Sequence, residues 1–160
     1  MRGAGPSSLG HTCGVAASGT MHCWGFGTWG QLGREIADTS FNPVQVSGDH
    51  VFSTTIALTY SPMCALTTGG DAYCWGCGDR GQLGVSAEAL AACPDMFGNP
   101  PLCSNAPLRV RSLKFKSLAA AWDSFCAVTM DDVAYCWGGR LLGNGNTAPS
   151  FAPVKVGGQP

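Results

Sequence analysis

The sequence predicts an all-β chain built from repeated antiparallel units, and three observations carry that prediction. Residues 13–25, 64–76 and 126–138 are copies of one segment, with a cysteine at each end of an eleven-residue stretch and Trp-Gly after it. Short runs of Val, Ile, Leu, Tyr and Trp are separated by Gly, Pro, Asp and Ser, the punctuation of strands and turns. No stretch combines the apolar period and the caps of a long amphipathic helix.

Each copy leads to a Leu-Gly pair, at Leu32-Gly33, Leu83-Gly84 and Leu142-Gly143. A Pro-initiated, β-branched segment follows at residues 43–46, 107–110 and 153–156. Trp24 and Trp75 lie 51 residues apart, Trp75 and Trp137 lie 62 apart. An insertion of about 13 residues between Val85 and Asn105 accounts for the longer interval, while the third copy is three residues shorter between Trp137 and its Leu-Gly pair. Periods of this length mark repeat arrays. The expected units are a partial one at 9–40, a unit at 41–84, the insertion at 85–105, a unit at 106–145, and the first strand of a further unit at 151–156. In the complete unit four strands are expected, near 43–46, 53–58, 63–67 and 72–76. Residues 87–92 have room for one helical turn, and the Ala-rich 118–122 align with a strand.

The cysteine spacing sets the hairpin register. Cys13 and Cys23, Cys64 and Cys74, and Cys126 and Cys136 are each ten apart. If the members of each pair sit directly opposite, three-residue loops remain at 17–19, 68–70 and 130–132. Such a loop wants a left-handed third residue, which Gly19 and Gly70 supply freely and Asp132 tolerates. Opposed residues in an antiparallel pair lie about 4.5–5.5 Å apart at Cα, within reach of a disulfide. Structural zinc would want Cys-x2-4-Cys knuckles; only Cys74 and Cys77 have that spacing, and no second knuckle accompanies them. Disulfides are therefore expected, with reduced thiols in a cytosolic chain as the alternative. Cys93 and Cys103, also ten apart, enclose Pro94, Pro100 and Pro101, which argues for a stapled surface loop over a regular hairpin. That loop would display Met96 and Phe97, either as a neutral insertion or as a recognition element. Cys77 is left as the unpaired ninth thiol.

The pattern from Cys64 to Gly84, Cys-Ala-Leu-x3-Gly-x2-Tyr-Cys-Trp-Gly-x-Gly-x2-Gly-Gln-Leu-Gly, resembles the regulator of chromosome condensation repeat family, in particular its cysteine-rich bacterial-like variant in exported proteins. The resemblance covers nearly the whole chain. It implies a β-propeller of four-stranded blades, hence here a partial propeller of about three antiparallel blades with hairpins stapled by disulfides. Family members usually have seven blades, and propellers typically close with 4–8. Two readings of the low count stay open: a fragment of a longer product in which further blades follow and Met1 is not the true start, or head-to-tail self-association into a ring. Known roles in the family include nucleotide exchange on a small GTPase with chromatin binding, light sensing and β-lactamase inhibition. Most members bind partners, and the repeat carries no shared catalytic machinery. The function the resemblance implies is a non-enzymatic interaction or scaffold module with an unknown protein partner. A structural or adhesive repeat array on a cell surface, and an exchange-type regulator of a small GTPase, are the alternatives.

Composition narrows the remaining classes. Only 12% of the 160 residues are charged and 45% are hydrophobic, which excludes a disordered polyelectrolyte. A net charge of −1 gives no basic footprint for nucleic acid, and no apolar run of 18 residues predicts a membrane-spanning helix. Residues 1–8 contain no apolar signal region, but four bridges would favour an oxidising, extracellular or cell-surface location. His11, His22 and His50 show no Ser or Asp partner for a triad, and Asp123, Asp131 and Asp132 read as turn residues. The glycines at 25–30 and 76–81 match Gly-x-Gly-x-x-Gly without a βαβ context, so no dinucleotide, cofactor or metal is expected. Trp24, Trp75 and Trp137 recur and read as packing residues. Trp29, unrepeated and in a loop, is the expected exposed contact.

Overall fold

The computed structural model describes residues 10–94 and 99–159. Its smallest unit is the stapled hairpin. Strands β1 (His11–Val15) and β2 (Met21–Gly25), β5 (Met63–Thr67) and β6 (Asp71–Cys77), and β9 (Ser124–Thr129) and β10 (Ala134–Gly138) form the three copies. In each, the two cysteines are direct partners and are disulfide-bonded, with Cα atoms 4.1 Å apart. The third loop residue is left-handed in all three: φ is 85° at Gly19, 78° at Gly70 and 62° at Asp132. Register, turn and covalent staple thus agree.

The Pro-initiated strand completes each sheet at one edge, beside the Cys-Trp strand. β3 (Ser40–Gln45) pairs with β2, Val44 facing Cys23. The long β8 (Leu102–Ala120) pairs with β6, Leu108 facing Cys74, and β11 (Ser150–Lys155) pairs with β10, Val154 facing Cys136. β4 (Phe52–Leu58) pairs with β5 at the opposite edge, and the second half of β8, from Phe115 to Ala120, pairs likewise with β9. Among the described residues the result is one three-stranded sheet and two four-stranded sheets, the latter joined because β8 runs from an edge of one into an edge of the next. A short strand β7 (Ala91–Ala92) in the insertion pairs with the start of β8, after a single 3-10 turn at Ala87–Ala89.

This grouping differs from the sequence units by one strand. Units 41–84 and 106–145 each begin with a Pro segment that, in the structure, closes the preceding sheet, and 151–156 likewise closes the third sheet. The reason is local: past Leu-Gly the chain turns back beside the Cys-Trp strand, where the Val46 N–H donates to the Met21 carbonyl at 2.9 Å, before it crosses to the next sheet. The same strand holds a feature shared by all three copies. Ser40, Ser104 and Ser150 stand opposite the Gly of Trp-Gly, each next to a register shift. Their hydroxyls donate to the carbonyls of Asn42, Ala106 and Ala152 at 2.6–2.8 Å and hold the bulge.

The core lies between sheets. Met21, Cys23, Leu32 and Val46 pack against Phe52, Met63, Ala65 and Trp75. Cys64, Leu66, Cys74, Leu83 and Val110 pack in the same way against Phe115, Phe125, Ala127 and Trp137. The first two staples therefore lie on the face turned toward the following sheet, and Trp75 and Trp137 on the face turned toward the preceding one.

Candidate interaction surface

Alignment of the sheets by register makes Tyr60 and Trp122 equivalent. Leu58 pairs with Met63, and Ala120 pairs with Phe125. Both intervening turns are tight. Thr59 closes the first, its N–H donating to the Pro62 carbonyl at 3.1 Å and its hydroxyl at 2.8 Å. In the second, the Ala121 N–H donates to the Ser124 carbonyl at 2.8 Å. In the first turn Ser61 turns inward and is buried, while its neighbour Tyr60 turns outward. Tyr60 is 62% exposed and Trp122 91% exposed.

Between them runs a groove of about 230 Å³, lined by Tyr60, Pro62, Cys77, Arg80, Gln82 and Trp122. Arg80 faces Asp123 at 3.8 Å, and its side chain is mostly exposed. Such a pair contributes at most about 1 kcal/mol and leaves the guanidinium free to re-pair. The Gln82 Oε1 accepts from the Arg80 N–H at 2.9 Å, so the loop carrying Arg80 is fixed from below. Burial, reinforced by Asp79, pushes the Cys77 thiol up to about 11, so little of it is thiolate near neutral pH.

The sequence-derived contact residues fall elsewhere. Trp29 is only 8% exposed; it packs on the Cys93–Cys103 disulfide and edge-on to Phe26, 5.5 Å between ring centres. The expectation of an exposed contact there is corrected: the insertion covers it. Met96 and Phe97 lie outside the described residues. A second groove, of about 300 Å³, is lined by Glu35, Ala92, Pro94 and Asn105. The Cys93–Cys103 bond is formed, and Cys77 is the free cysteine. Trp75 and Trp137 are fully buried between sheets, whereas Trp24, on the first sheet, is half-buried. Of the histidines, His11 is lowered to about 4 by burial and His50 is lowered by the same cause. Among the described residues no group of three or more His, Cys, Asp or Glu could hold a metal. Tyr60 and Trp122 were legible only through their place in the repeat, three residues ahead of Met63 and Phe125.

Comparison with known proteins places these features in a family. The model of the Regulator of chromosome condensation (RCC1) repeat matches residues 18–58 and 69–128, and a second model of the same repeat matches 54–82. The Ultraviolet-B receptor UVR8 of Arabidopsis thaliana is 32% identical over 147 residues, covering 87% of this chain and 31% of the receptor. A Secretion-regulating guanine nucleotide exchange factor of Bos taurus is 24% identical over 159 residues, covering 92% of this chain and 34% of that protein. In structure, Prp20p from Saccharomyces cerevisiae superposes with a TM-score of 0.78 at 23% identity, over 91% of this chain and 36% of that one. The chain thus spans about a third of the length of these relatives, and its sheets are blades of a β-propeller.

Proposed function

The chain belongs to the regulator of chromosome condensation (RCC1) repeat family, and from that premise we propose that it is a non-enzymatic protein-interaction module whose partner docks on the Tyr60–Trp122 groove. One observation carries the reading. Two aromatic side chains at equivalent turns of neighbouring blades are exposed to water, Trp122 almost fully and Tyr60 in larger part, with apolar surface left to bury. Trp, Tyr and Arg are the residues over-represented at binding hot spots, and here all three border one groove. The blade cores beneath are stapled and close-packed, so docking there costs little ordering of the chain. The relatives named above support a regulatory or partner-binding role; a nucleotide-exchange role rests on likeness to the bovine factor alone. The four disulfides support an extracellular or cell-surface setting.

The test is affinity capture with the intact chain, identification of the captured proteins, and titration of each against Trp122→Ala and Tyr60→Ala. A partner whose affinity falls tenfold or more on Trp122→Ala, while the variant keeps its unfolding midpoint, supports the reading. Partners that bind both variants as tightly as the parent would place the docking surface elsewhere. Small GTPases belong in the same titration.

A further inference from the structure

Cys103 has two sulfur neighbours, one on each side of its strand. On one side, β7 pairs with β8 so that Ala91, not Cys93, faces Cys103. Cys93 reaches Cys103 from two residues along, its own N–H donating to the Pro101 carbonyl at 2.8 Å, and the Cα atoms of the bonded pair are 5.7 Å apart. On the other side, β6 pairs with β8 so that Cys77 stands directly opposite Cys103. That is the relation of the cysteines in all three hairpin staples. Residues directly opposite in an antiparallel pair project to the same face, with Cβ atoms about 4.5–5.5 Å apart. The cluster formed by Cys93, Cys103 and Trp29 has Cys77 and Phe26 packed against it.

We propose that Cys77, Cys93 and Cys103 form an intramolecular thiol–disulfide exchange site in which Cys103 changes partner. The Cys77 thiolate attacks Sγ of Cys103, and a Cys77–Cys103 bond forms as the Cys93–Cys103 bond breaks. The electron pair of the broken bond leaves on Sγ of Cys93, which takes up the proton that Cys77 gave to solvent. No external oxidant or reductant enters, and the number of disulfides is unchanged. The product is a fourth cross-strand staple, tying β6 to β8 as the other three tie their hairpins. The free thiol moves from the Tyr60–Trp122 groove to Cys93, beside the groove lined by Ala92 and Pro94. The exchange does not depend on the docking role proposed above.

The surroundings set the rate. Cys77 is half-buried, with Asp79 beside it and Tyr60, Arg80 and Asp123 around the groove; Phe26 and Trp29 on the other side carry no charge. Glu35 lies near Cys93 and Cys103. The thiolate is scarce at neutral pH, so exchange is slow there and accelerates about tenfold per pH unit as more thiolate forms.

The test uses the intact oxidised chain, held at pH 7 or pH 9 without reductant, then alkylated and digested for mass analysis. A Cys77–Cys103 cross-linked peptide, with alkylated Cys93, is expected to accumulate faster at pH 9. A second variant, Cys93→Ser, is oxidised in parallel; it is expected to close Cys77–Cys103 and leave no thiol. Alkylation of Cys77 alone after prolonged incubation at pH 9 overturns the proposal. So does a Cys93→Ser chain in which the three hairpin pairs are closed while Cys77 and Cys103 both remain alkylatable.

Discussion

The indole N–H of Trp137 donates to the main-chain carbonyl of Gln82 across the gap between two blades, at 3.0 Å. Trp75 makes the same bond to Gln31 one blade earlier, also at 3.0 Å. The repeated Trp of one blade is thereby fastened to the repeated Gly-Gln-Leu-Gly loop of the blade before it. At both junctions between described blades, the Trp motif of one copy thus meets the Gly-Gln-Leu-Gly motif of the copy before it. Both tryptophans are fully buried, so the bond has no water to replace it.

Replacing Trp137 with Phe keeps most of the packing against Phe115 and Phe125 and removes the donor. The Gln82 carbonyl then loses a buried partner, at a cost of about 1–3 kcal/mol. Trp137→Ala adds a cavity and is expected to cost about 3–5 kcal/mol. Denaturant titration of the two variants checks the order; a Phe variant as stable as the parent would show the hydrogen bond to be dispensable.

Gly84 is held at φ +66°, and a Cβ there would meet Val110 Cγ1 at 2.9 Å and the Trp137 ring at 3.1 Å. Gly145, at φ +88°, has nothing within 4 Å of its Cβ position. Gly145→Ala is expected to cost about 1 kcal/mol, the backbone strain alone. Gly84→Ala adds a clash with the interblade packing, and an overpacked core costs about 1–3 kcal/mol more. Thermal unfolding of the pair separates the two contributions; equal midpoints would mean that the interface at Gly84 yields.

Asp71 on β6 accepts from Lys114 at 2.7 Å and from the Arg109 guanidinium, both on β8. Lys114, then Arg109, hold its carboxyl below the usual range. A carboxylate lowered in the folded state contributes stability above its unfolded pKa of about 3.9, and that contribution is lost as pH falls through the lower folded value. Asp71→Asn should therefore be less stable than the parent at pH 6, with the gap closing below pH 4. A gap that is flat from pH 6 to pH 2 would detach Asp71 from acid sensitivity.

Much of the hairpin level was legible in the residues themselves. A ten-residue cysteine interval, a glycine or aspartate at the third loop position and a trailing Trp-Gly admit one register, and the structure has it three times. The grouping of strands was less legible, because a Pro segment such as 43–46 looks the same whether it opens a blade or closes one. The Ser that holds each bulge, three residues ahead of the Pro, was present in every copy, but its role depends on the strand it faces.

The candidate site was legible least. Trp29 and Trp122 are both unrepeated tryptophans; the sequence placed the first in a loop and the second at the end of a strand, whereas the strand stops at Ala120, and sequence alone gives no reason to bury the first and expose the second. The insertion decides it, by laying the Cys93–Cys103 disulfide on Trp29, while no described segment covers Trp122. Local sequence by itself determined the all-β class, the hairpin register and the staples, because these depend on residues within one short loop of each other. Only the tertiary structure decided which strand joins which blade, which aromatic meets solvent, and that Cys77 faces Cys103. Those relations are contacts between segments far apart in the chain, and spacing along a sequence does not encode them.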